Sequence, residues 1–414
     1  MSTMVCGVRK NNLIYVFLFK SRRVSLLDLE LTAEQKMVVK AASEVAKDFD
    51  PEYWRNKDKN HEFPDDFWKA LVDAGFVGIA IPEKYGGGGM GMFEMILVME
   101  TLTSESCGLA GTWFLCLTSV FGGLSVLKHG SELQKENYLP RIAKGMEFCL
   151  ALTEPDAGSN TLNIQTAAVE SEDEYVINGR KTLISGADRA KGMLLVTRTT
   201  PLEKSPKRTL GLSLFLVDLP NSALEVTPIE KHGINYSKTC DVYITDLRIP
   251  RENLLGEKDK GWYLVLDTLN PERMSFSAAA GGIGLLAIKK AVEHAKQRNV
   301  FGAPIGSYQA LQFPLAEAKA KIEAARLLNY KAAWLYDRGQ PSGAEANMAK
   351  VVAVEAGIQA VYHAMQTFGG YGYAVDYDVE RWWREVNLTR LAPVTHQMAL
   401  SFIGEHVLGL PKSY

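Results

Sequence analysis

Apolar residues recur at helical spacing along the first third of the chain, which is the pattern of helices that bury one face. A loop with four consecutive glycines, 82–91, interrupts this pattern. The predicted helices cover residues 33–49, 67–74, 92–102 and 109–127. Together they predict an α-helical domain over residues 29–147.

The pattern changes near residue 148 to alternating apolar and polar residues and to runs rich in β-branched side chains, as in strands. Ile177-Asn178-Gly179 has the composition of a hairpin turn between two such strands. The predicted strands include 168–176, 192–198, 212–219, 224–227 and 241–246. The middle of the chain, 148–260, is therefore predicted to form an antiparallel β domain.

Long stretches with helical spacing return after residue 260 and cover 274–298, 311–337, 344–368 and 379–408. Their lengths predict a C-terminal four-helix bundle over residues 261–414, in which the apolar faces pack together. The whole pattern predicts an α+β multidomain fold, with an N-terminal helical domain, a middle β domain and the bundle. Residues 1–28 precede these domains as an extension.

Composition narrows the possible functions. The 414 residues are 47% hydrophobic and carry a formal net charge of -2, so no basic field indicates a nucleic-acid partner. The five cysteines show no Cys-x-x-Cys spacing and no histidine at ligand spacing. We therefore expect no metal site, and buried thiols in a reducing compartment. That compartment would be the cytoplasm, or the mitochondrial matrix if the source is eukaryotic.

The N-terminal extension contains a short apolar run, 13–19, between basic residues. The run is too short to span a bilayer, which takes about 20 residues. It also lacks an obvious small-residue cleavage site. We predict a disordered or loosely attached extension and no membrane span, with a transit peptide as the alternative.

Three short motifs offer groups that suit a nucleotide-like ligand. Residues 153–160 (TEPDAGSN) present backbone N–H and hydroxyl groups to a flavin edge or a phosphate. Residues 298–309 (RNVFGAPIGSYQ) place an arginine and a phenylalanine where they suit a diphosphate and an adenine. Residues 366–373 (QTFGGYGY) contain glycines that permit close approach to a ligand. Taken singly, these motifs are better explained as a turn, a solvated helix end and a helix stop.

The order of the motifs changes that interpretation. Together with PEKYGG (82–87), INGRKTLIS (177–185) and a downstream Arg-x-x-Arg, they resemble the acyl-CoA dehydrogenases over about residues 30–410. The resemblance implies an FAD-dependent enzyme that dehydrogenates an acyl-CoA thioester to a trans-2-enoyl-CoA. It also implies a homotetramer or homodimer, and an electron-transferring flavoprotein as the electron acceptor.

The resemblance also assigns roles to individual positions. The diphosphate and adenosine contacts would lie partly across a subunit interface. The implied FAD-binding residues are Leu152, Thr153, Gly158, Ser159, Ser185, Arg298, Phe301, Gln366, Gly369, Gly370, Thr395 and Gln397. The implied substrate-binding residues are Ser159, Asn270 and Arg273.

The resemblance implies a catalytic base at a less common position. Many family members carry a glutamate in a C-terminal Tyr-Glu-Gly-Thr motif, but here Pro393 stands at that place. A minority, typified by isovaleryl-CoA dehydrogenase, has a glutamate just before an arginine on the first bundle helix. The segment Asn270-Pro271-Glu272-Arg273 matches it. The resemblance therefore implies that Glu272 removes the α-proton and that a hydride leaves Cβ for flavin N5. Consecutive helix residues point about 100° apart, so Arg273 would face the CoA side.

Three local departures accompany this choice. Proline has no N–H, so the backbone donor that polarises the thioester carbonyl is lost at Pro393 or comes from Val394. Leu183 stands where many members place an aromatic residue against the flavin. Pro271 either kinks a helix or follows Asn270 as the cap of a new one.

Other functions remain compatible with these residues. An acyl-CoA oxidase or a flavin monooxygenase of the same fold is one alternative, although oxidases usually carry an extra domain and monooxygenases generally lack a base at either site. A non-catalytic flavoprotein on this scaffold is another, and Pro393 is the feature that favours it.

Overall fold

The structure is a computed structural model that describes residues 30–412. The extension and its apolar run at 13–19 lie outside the described residues, and the predictions made for them stay predictions. The description below therefore concerns the three predicted domains.

Within residues 30–147, seven α-helices form the first domain, and side chains cap several of them. At the start of the first helix, the Gln35 N–H donates to Thr32 Oγ1 (3.1 Å) and the Thr32 N–H donates to Gln35 Oε1 (3.0 Å). The helices are α1 Ala33–Lys47, α2 Pro51–Asn60, α3 Asp65–Asp73, α4 Met92–Leu102, α5 Ala110–Leu115, α6 Ser125–His129 and α7 Glu132–Ala143. A π-helical stretch, Cys116–Leu124, joins α5 to α6, so the helix predicted at 109–127 forms with a local change of winding.

The second domain is an eight-stranded sheet with the path β6-β7-β3-β2-β4-β5-β8, and β1 pairs with β4. Its strands are β1 Phe148–Ala151, β2 Ala167–Ser171, β3 Glu174–Ser185, β4 Gly192–Arg198, β5 Leu212–Asp218, β6 Leu224–Ile229, β7 Thr239–Pro250 and β8 Leu254–Leu255. The pairs are antiparallel except β1–β4 and β2–β4, which are parallel.

The predicted hairpin turn at 177–179 was wrong. These residues lie inside β3, and the β2–β3 hairpin turns at Glu172-Asp173, between the paired residues Ser171 and Glu174. The glycine serves a different purpose: a Cβ on Gly179 would lie 2.5 Å from Thr166 Oγ1. The sequence signal for a turn was therefore a signal for close approach of a neighbouring segment.

The last domain is the helical bundle. Its elements are α8 Gly261–Gln297, the small hairpin β9 Asn299–Val300 and β10 Ala303–Pro304, then α9 Gln309–Asp337, α10 Gly343–Phe368, α11 Val379–Leu391 and α12 His396–Phe402. Helix α8 begins earlier than predicted and continues through Pro271, so Asn270 does not cap a new helix. The helix predicted at 379–408 is broken around Pro393, where the chain has no N–H to continue it.

Helices α8 and α10 pack against each other and run in the same direction. Their contacting residues increase in sequence number together, from Ala280 and Gly357 to His294 and Phe368. A Cβ on Gly357 would meet the Ala280 carbonyl oxygen at 2.3 Å, so the two backbones touch at that point. Farther along, His294 of α8 stacks on Phe368 of α10 with ring centroids 4.3 Å apart. This pairing fixes which residues of the two helices face each other.

The order of helical domain, β sheet and helical bundle confirms the predicted fold class. Two helical stretches of the described chain, Ala110–His129 and Gly261–Gln297, are long and apolar enough to cross a membrane. However, 89% and 72% of their apolar windows are buried within the fold, as in core helices.

Candidate active site

Glu272 lies on α8 with its side chain completely buried. Among the residues that the structure describes, neither of its carboxylate oxygens has a hydrogen-bond partner. Buried polar atoms are nearly always hydrogen-bonded, so such a carboxylate is exceptional. Burial raises the pKa of Glu272, and the cations of Lys350 and Arg273 oppose that rise. A buried group in this state has the properties expected of a proton acceptor.

Lys350 faces Glu272 from α10. Its Nζ lies 3.8 Å from Glu272 Oε1, and both side chains are almost wholly buried. The same ammonium donates to the carbonyl oxygen of Ala392 at 3.4 Å and to that of Val394. Lys350 therefore connects Glu272 to the loop that contains Pro393, the other position at which the family places a base.

Asn270 and Arg273 lie beside Glu272 on the same helix. An Arg273 guanidinium N–H donates to Asn270 Oδ1 at 3.0 Å, and burial lowers the pKa of Arg273. Asn270 also lines an open cleft of about 1430 Å³, together with Leu127 and Asp267. Of the predicted substrate residues, Asn270 thus lines a space open to solvent and also contacts Arg273, the residue next to the buried glutamate.

A second buried ion pair joins two of the sequence motifs. Lys181 Nζ lies 2.8 Å from Glu154 Oε1 and donates to the Leu152 carbonyl at 3.0 Å. The Glu154 carboxylate also accepts the backbone N–H groups of Gln165 (2.7 Å) and Thr166 (3.0 Å). Burial raises the pKa of Glu154, but Lys181 and these hydrogen bonds outweigh it and lower the pKa overall. Sequence reasoning missed this pair, although both residues lie inside the quoted motifs.

The ion pair holds together segments that the resemblance assigns to the flavin. Next to it, the Thr182 N–H donates to the Thr153 carbonyl at 2.9 Å, which fixes the predicted segment 152–153 against β3. At the end of β3, the hydroxyls of Ser185 and Thr239 lie 3.4 Å apart. Ser159 is exposed in the loop that follows β1. Segment 152–153 and Ser185 therefore lie along the end of β3.

Leu183 lies at this end in an unusual conformation. Its φ is 58°, in the left-handed region that is uncommon for a non-glycine residue, and the β3–β7 register shifts between Lys181 and Ile184. The side chain is 60% exposed. An apolar side chain held outward in this way fits a flat, apolar ring system.

Side-chain contacts link this end of the β domain to Lys350. The Trp113 indole N–H donates to Ser237 Oγ at 3.1 Å, and its ring packs edge-on against Phe276 with centroids 6.2 Å apart. The Phe276 ring lies 5.6 Å from Lys350 Nζ. Thus the predicted flavin-ring segment and Glu272 belong to one region.

A second group of predicted residues lies elsewhere. Arg298 and Phe301 follow the end of α8, and the His294–Phe368 stack places the end of α10 beside them. Phe301 is 96% exposed. The remaining members, Gln366, Gly369 and Gly370, are exposed too. At 1.5 Å per residue, Arg298 lies roughly 39 Å along α8 from Glu272.

Thr395 and Gln397 stand at the start of α12. Thr395 caps this helix by accepting the Met398 N–H at 3.2 Å, whereas Gln397 is exposed. The predicted contact residues therefore fit a large dinucleotide such as FAD in two respects. Open apolar surface lies at Leu183 and Phe301, and a Cβ added at Gly158, Gly369 or Gly370 would meet nothing within 4 Å.

Known proteins resemble the chain along nearly its whole length. The family models for the N-terminal, middle and C-terminal domains of acyl-CoA dehydrogenases match residues 32–146, 149–247 and 259–408. Acyl-CoA dehydrogenase FadE12 of Mycobacterium tuberculosis is 37% identical over 384 residues, which cover 92% of this chain and 97% of that protein. The resemblance drawn from the motifs is thereby confirmed.

Two further similarities concern a complex and a solved structure. Caffeyl-CoA reductase-Etf complex subunit CarC of Acetobacterium woodii is 34% identical over 368 residues, which cover 88% of this chain and 96% of that protein. The structure of butyryl-CoA dehydrogenase from Megasphaera elsdenii superposes with a TM-score of 0.88 at 31% identity, over 92% of this chain and 100% of that one.

Proposed function

This chain belongs to the acyl-CoA dehydrogenase family of flavin-dependent oxidoreductases, and from that premise we propose that it converts an acyl-CoA thioester to a trans-2-enoyl-CoA with Glu272 as the base. The burial of Glu272 without a hydrogen-bond partner in residues 30–412 carries this proposal. A carboxylate that is already desolvated and has free lone pairs accepts a proton more readily than one held by donors.

Substrate approaches Glu272 from the side of Asn270 and Arg273. Asn270 lines the open cleft and also holds the Arg273 guanidinium, so the two residues suit the polar pantetheine chain. The resemblance assigns Ser159, which is exposed in the loop after β1, to the same substrate. Around Pro393, the loop retains the N–H groups of Val394 and Thr395, and we assign the polarisation of the thioester carbonyl to Val394.

As the resemblance implies, two groups of residues would hold FAD. The first group would surround the ring system and consists of Leu152, Thr153, Gly158, Leu183, Ser185, Thr395 and Gln397. Bound FAD would supply the acceptor for the hydride that leaves Cβ, at its N5 atom. Glu272 carries out the part that belongs to this chain, the removal of the α-proton.

The adenosine end of FAD requires a second copy of the chain. Arg298 lies roughly 39 Å from Glu272 along α8, a separation that one FAD molecule is too short to span. The other predicted residues lie near the same end of α8, namely Phe301, Gln366, Gly369 and Gly370. These residues therefore serve the cofactor of a neighbouring subunit, and the enzyme is a homo-oligomer, with a tetramer expected from the family. An electron-transferring flavoprotein would be the electron acceptor, a class of partner that the name of the Acetobacterium relative includes.

A substrate panel tests the proposal. Acyl-CoA thioesters that vary in chain length and branching are added anaerobically to the purified holoenzyme while the flavin absorbance is followed. At least one of them should bleach the flavin and yield a 2-enoyl-CoA. A holoenzyme that binds FAD but bleaches with none of them would instead be a non-catalytic flavoprotein.

Two further measurements separate the related activities. Oxygen uptake with the bleaching substrate should be slow in a dehydrogenase, whereas fast uptake would indicate an oxidase. The Acetobacterium relative is a reductase, so the reverse reaction is measured with a 2-enoyl-CoA and reduced flavin. A dehydrogenase in function should favour the oxidation of the acyl chain with an electron-transferring flavoprotein as acceptor.

A further inference from the structure

Within residues 30–412, few charged or titratable groups lie near Glu272. Lys350 faces it from α10, Arg273 follows it on α8, and Cys116 faces it from the π-helical stretch of the first domain. Burial raises the pKa of Cys116 well above its ordinary value, so this thiol stays uncharged. His396 of α12 interacts with Lys350 from farther away, and burial lowers the pKa of its imidazole.

The two cations in this environment have different partners. Arg273 donates to Asn270, which lines the cleft. Lys350 has three N–H donors, and two of them go to the carbonyls of Ala392 and Val394, on either side of Pro393. The Lys350 ammonium also lies 3.8 Å from Glu272, and burial lowers the pKa of Lys350 while the Glu272 carboxylate opposes that fall. Lys350 is thus the cation that is fixed by the backbone and directed at the carboxylate.

We propose that Lys350 is a positioning residue for the reaction, which holds the Glu272 carboxylate in its ionised, proton-accepting form and fixes it relative to the 392–394 loop. This inference rests on the proposed function of Glu272. It assigns Lys350 no contact with the substrate and no transfer of a proton.

Electrostatics gives the reason. A carboxylate in an apolar interior takes up a proton unless an opposite charge within about 4–6 Å favours the ionised form. Glu272 lacks hydrogen-bond donors within the described part of the chain, so only nearby cations can supply that stabilisation. Because Lys350 is anchored by two carbonyls, it supplies the charge without a contact that would block the lone pairs of Glu272.

The main test uses two variants of the holoenzyme. Lys350→Met keeps the buried methylene volume but loses the charge. The rising limb of the pH–rate profile for anaerobic flavin bleaching, which reports the ionisation of Glu272, should therefore move to higher pH. Below that limb the variant should be about tenfold slower or more, and at high pH its rate should return toward that of the parent. Lys350→Arg keeps a cation and should retain a limb close to that of the parent.

A matched control is available on α1. Lys40 Nζ lies 3.8 Å from Glu44 Oε1, the same separation as in the Lys350–Glu272 pair, but the two side chains are 78% and 63% exposed. Lys40→Met should leave the pH profile unchanged, because solvent screens an exposed pair. If Lys350→Met does not fold, Lys350→Gln takes its place, since it keeps donors for the two carbonyls without the charge.

A spectroscopic titration reports on the same group independently of turnover. The infrared C=O stretching band of the protonated Glu272 carboxyl is identified by its loss in Glu272→Gln. In Lys350→Met this band should persist to a higher pH than in the parent.

The outcomes separate the two proposals. If Lys350→Met slows flavin bleaching by the same factor at every pH and leaves the infrared titration unchanged, then Lys350 only supports the loop. That result would overturn the inference. A parent enzyme that no acyl-CoA bleaches, or a Glu272→Gln variant that bleaches as fast as the parent, would contradict the proposed function instead.

Discussion

Two buried glutamate–lysine pairs, one in the β domain and one in the bundle, have the same residue types and nearly the same burial. The exposed fractions of the lysine and glutamate side chains are 0% and 6% for Lys181–Glu154, and 1% and 0% for Lys350–Glu272. In the first pair the charged atoms are 2.8 Å apart, and in the second they are 3.8 Å apart. Burial alone therefore does not distinguish their roles.

The difference lies in how the carboxylate is satisfied. Glu154 accepts two backbone N–H groups besides its lysine, whereas Glu272 accepts none from the described residues. The pKa of Glu154 is lowered in consequence, and that of Glu272 is raised by burial. A carboxylate whose oxygens accept hydrogen bonds stabilises the fold, whereas one without hydrogen-bond partners is available to accept a proton.

The largest effect that we expect comes from Glu272→Gln. A general base typically contributes about 10²–10⁴-fold, so anaerobic flavin bleaching by an acyl-CoA should slow by that factor. The free energy of unfolding should fall less than in a variant that also removes hydrogen bonds, because Glu272→Gln removes none and Lys350 keeps its two carbonyl acceptors. Glu44→Gln, an exposed position on α1, is the control, and bleaching at the parental rate in Glu272→Gln would exclude this residue as the base.

Glu154→Gln should have the opposite profile. It leaves Lys181 buried without its counter-ion, which typically costs about 3–5 kcal/mol of stability. Urea denaturation of the holoenzyme measures the loss, with Glu272→Gln as the buried glutamate control. Equal losses in the two variants would remove the distinction between a structural and a reactive pair.

The dependence of stability on pH should also differ in sign between the two glutamates. Glu154 has a lowered pKa, so its contribution is present above the unfolded pKa and is lost as the pH falls through the folded value. Glu272 has a raised pKa, so its contribution is present at low pH and is lost as the pH rises through the folded value. Relative to the parent, Glu154→Gln should therefore recover in acid, and Glu272→Gln should gain at higher pH. Denaturation series in buffers across the acidic range measure both trends, and parallel trends would contradict them.

The smallest change in stability that we expect comes from Thr395, which follows the 392–394 loop held by Lys350. Thr395 caps α12, so Thr395→Ala should cost about 1 kcal/mol of stability, whereas Thr395→Ser should keep the cap. Thermal unfolding measures the stability, and equilibrium dialysis against FAD measures cofactor binding. If Thr395 also contacts the flavin, FAD affinity should fall in the alanine variant and be retained in the serine variant.

The residue pattern predicted most elements because each depends on local periodicity. The helix at Met92–Leu102 was predicted with the bounds that the structure has. The errors arose where tertiary contacts used a residue for another purpose. Gly179 marks the close approach of Thr166 rather than a turn, and Pro393 divides a helix that periodicity extended to residue 408.

The sequence by itself determined the family, the order of the domains and the identity of the proposed base, because these depend on motifs and on neighbouring residues such as Glu272 and Arg273. Only the tertiary structure decided that Glu272 is buried without hydrogen bonds and that Lys350 faces it. The two residues stand on different helices, and their approach depends on the parallel packing of α8 against α10. Since burial and charge separation arise from packing, no local pattern could specify them.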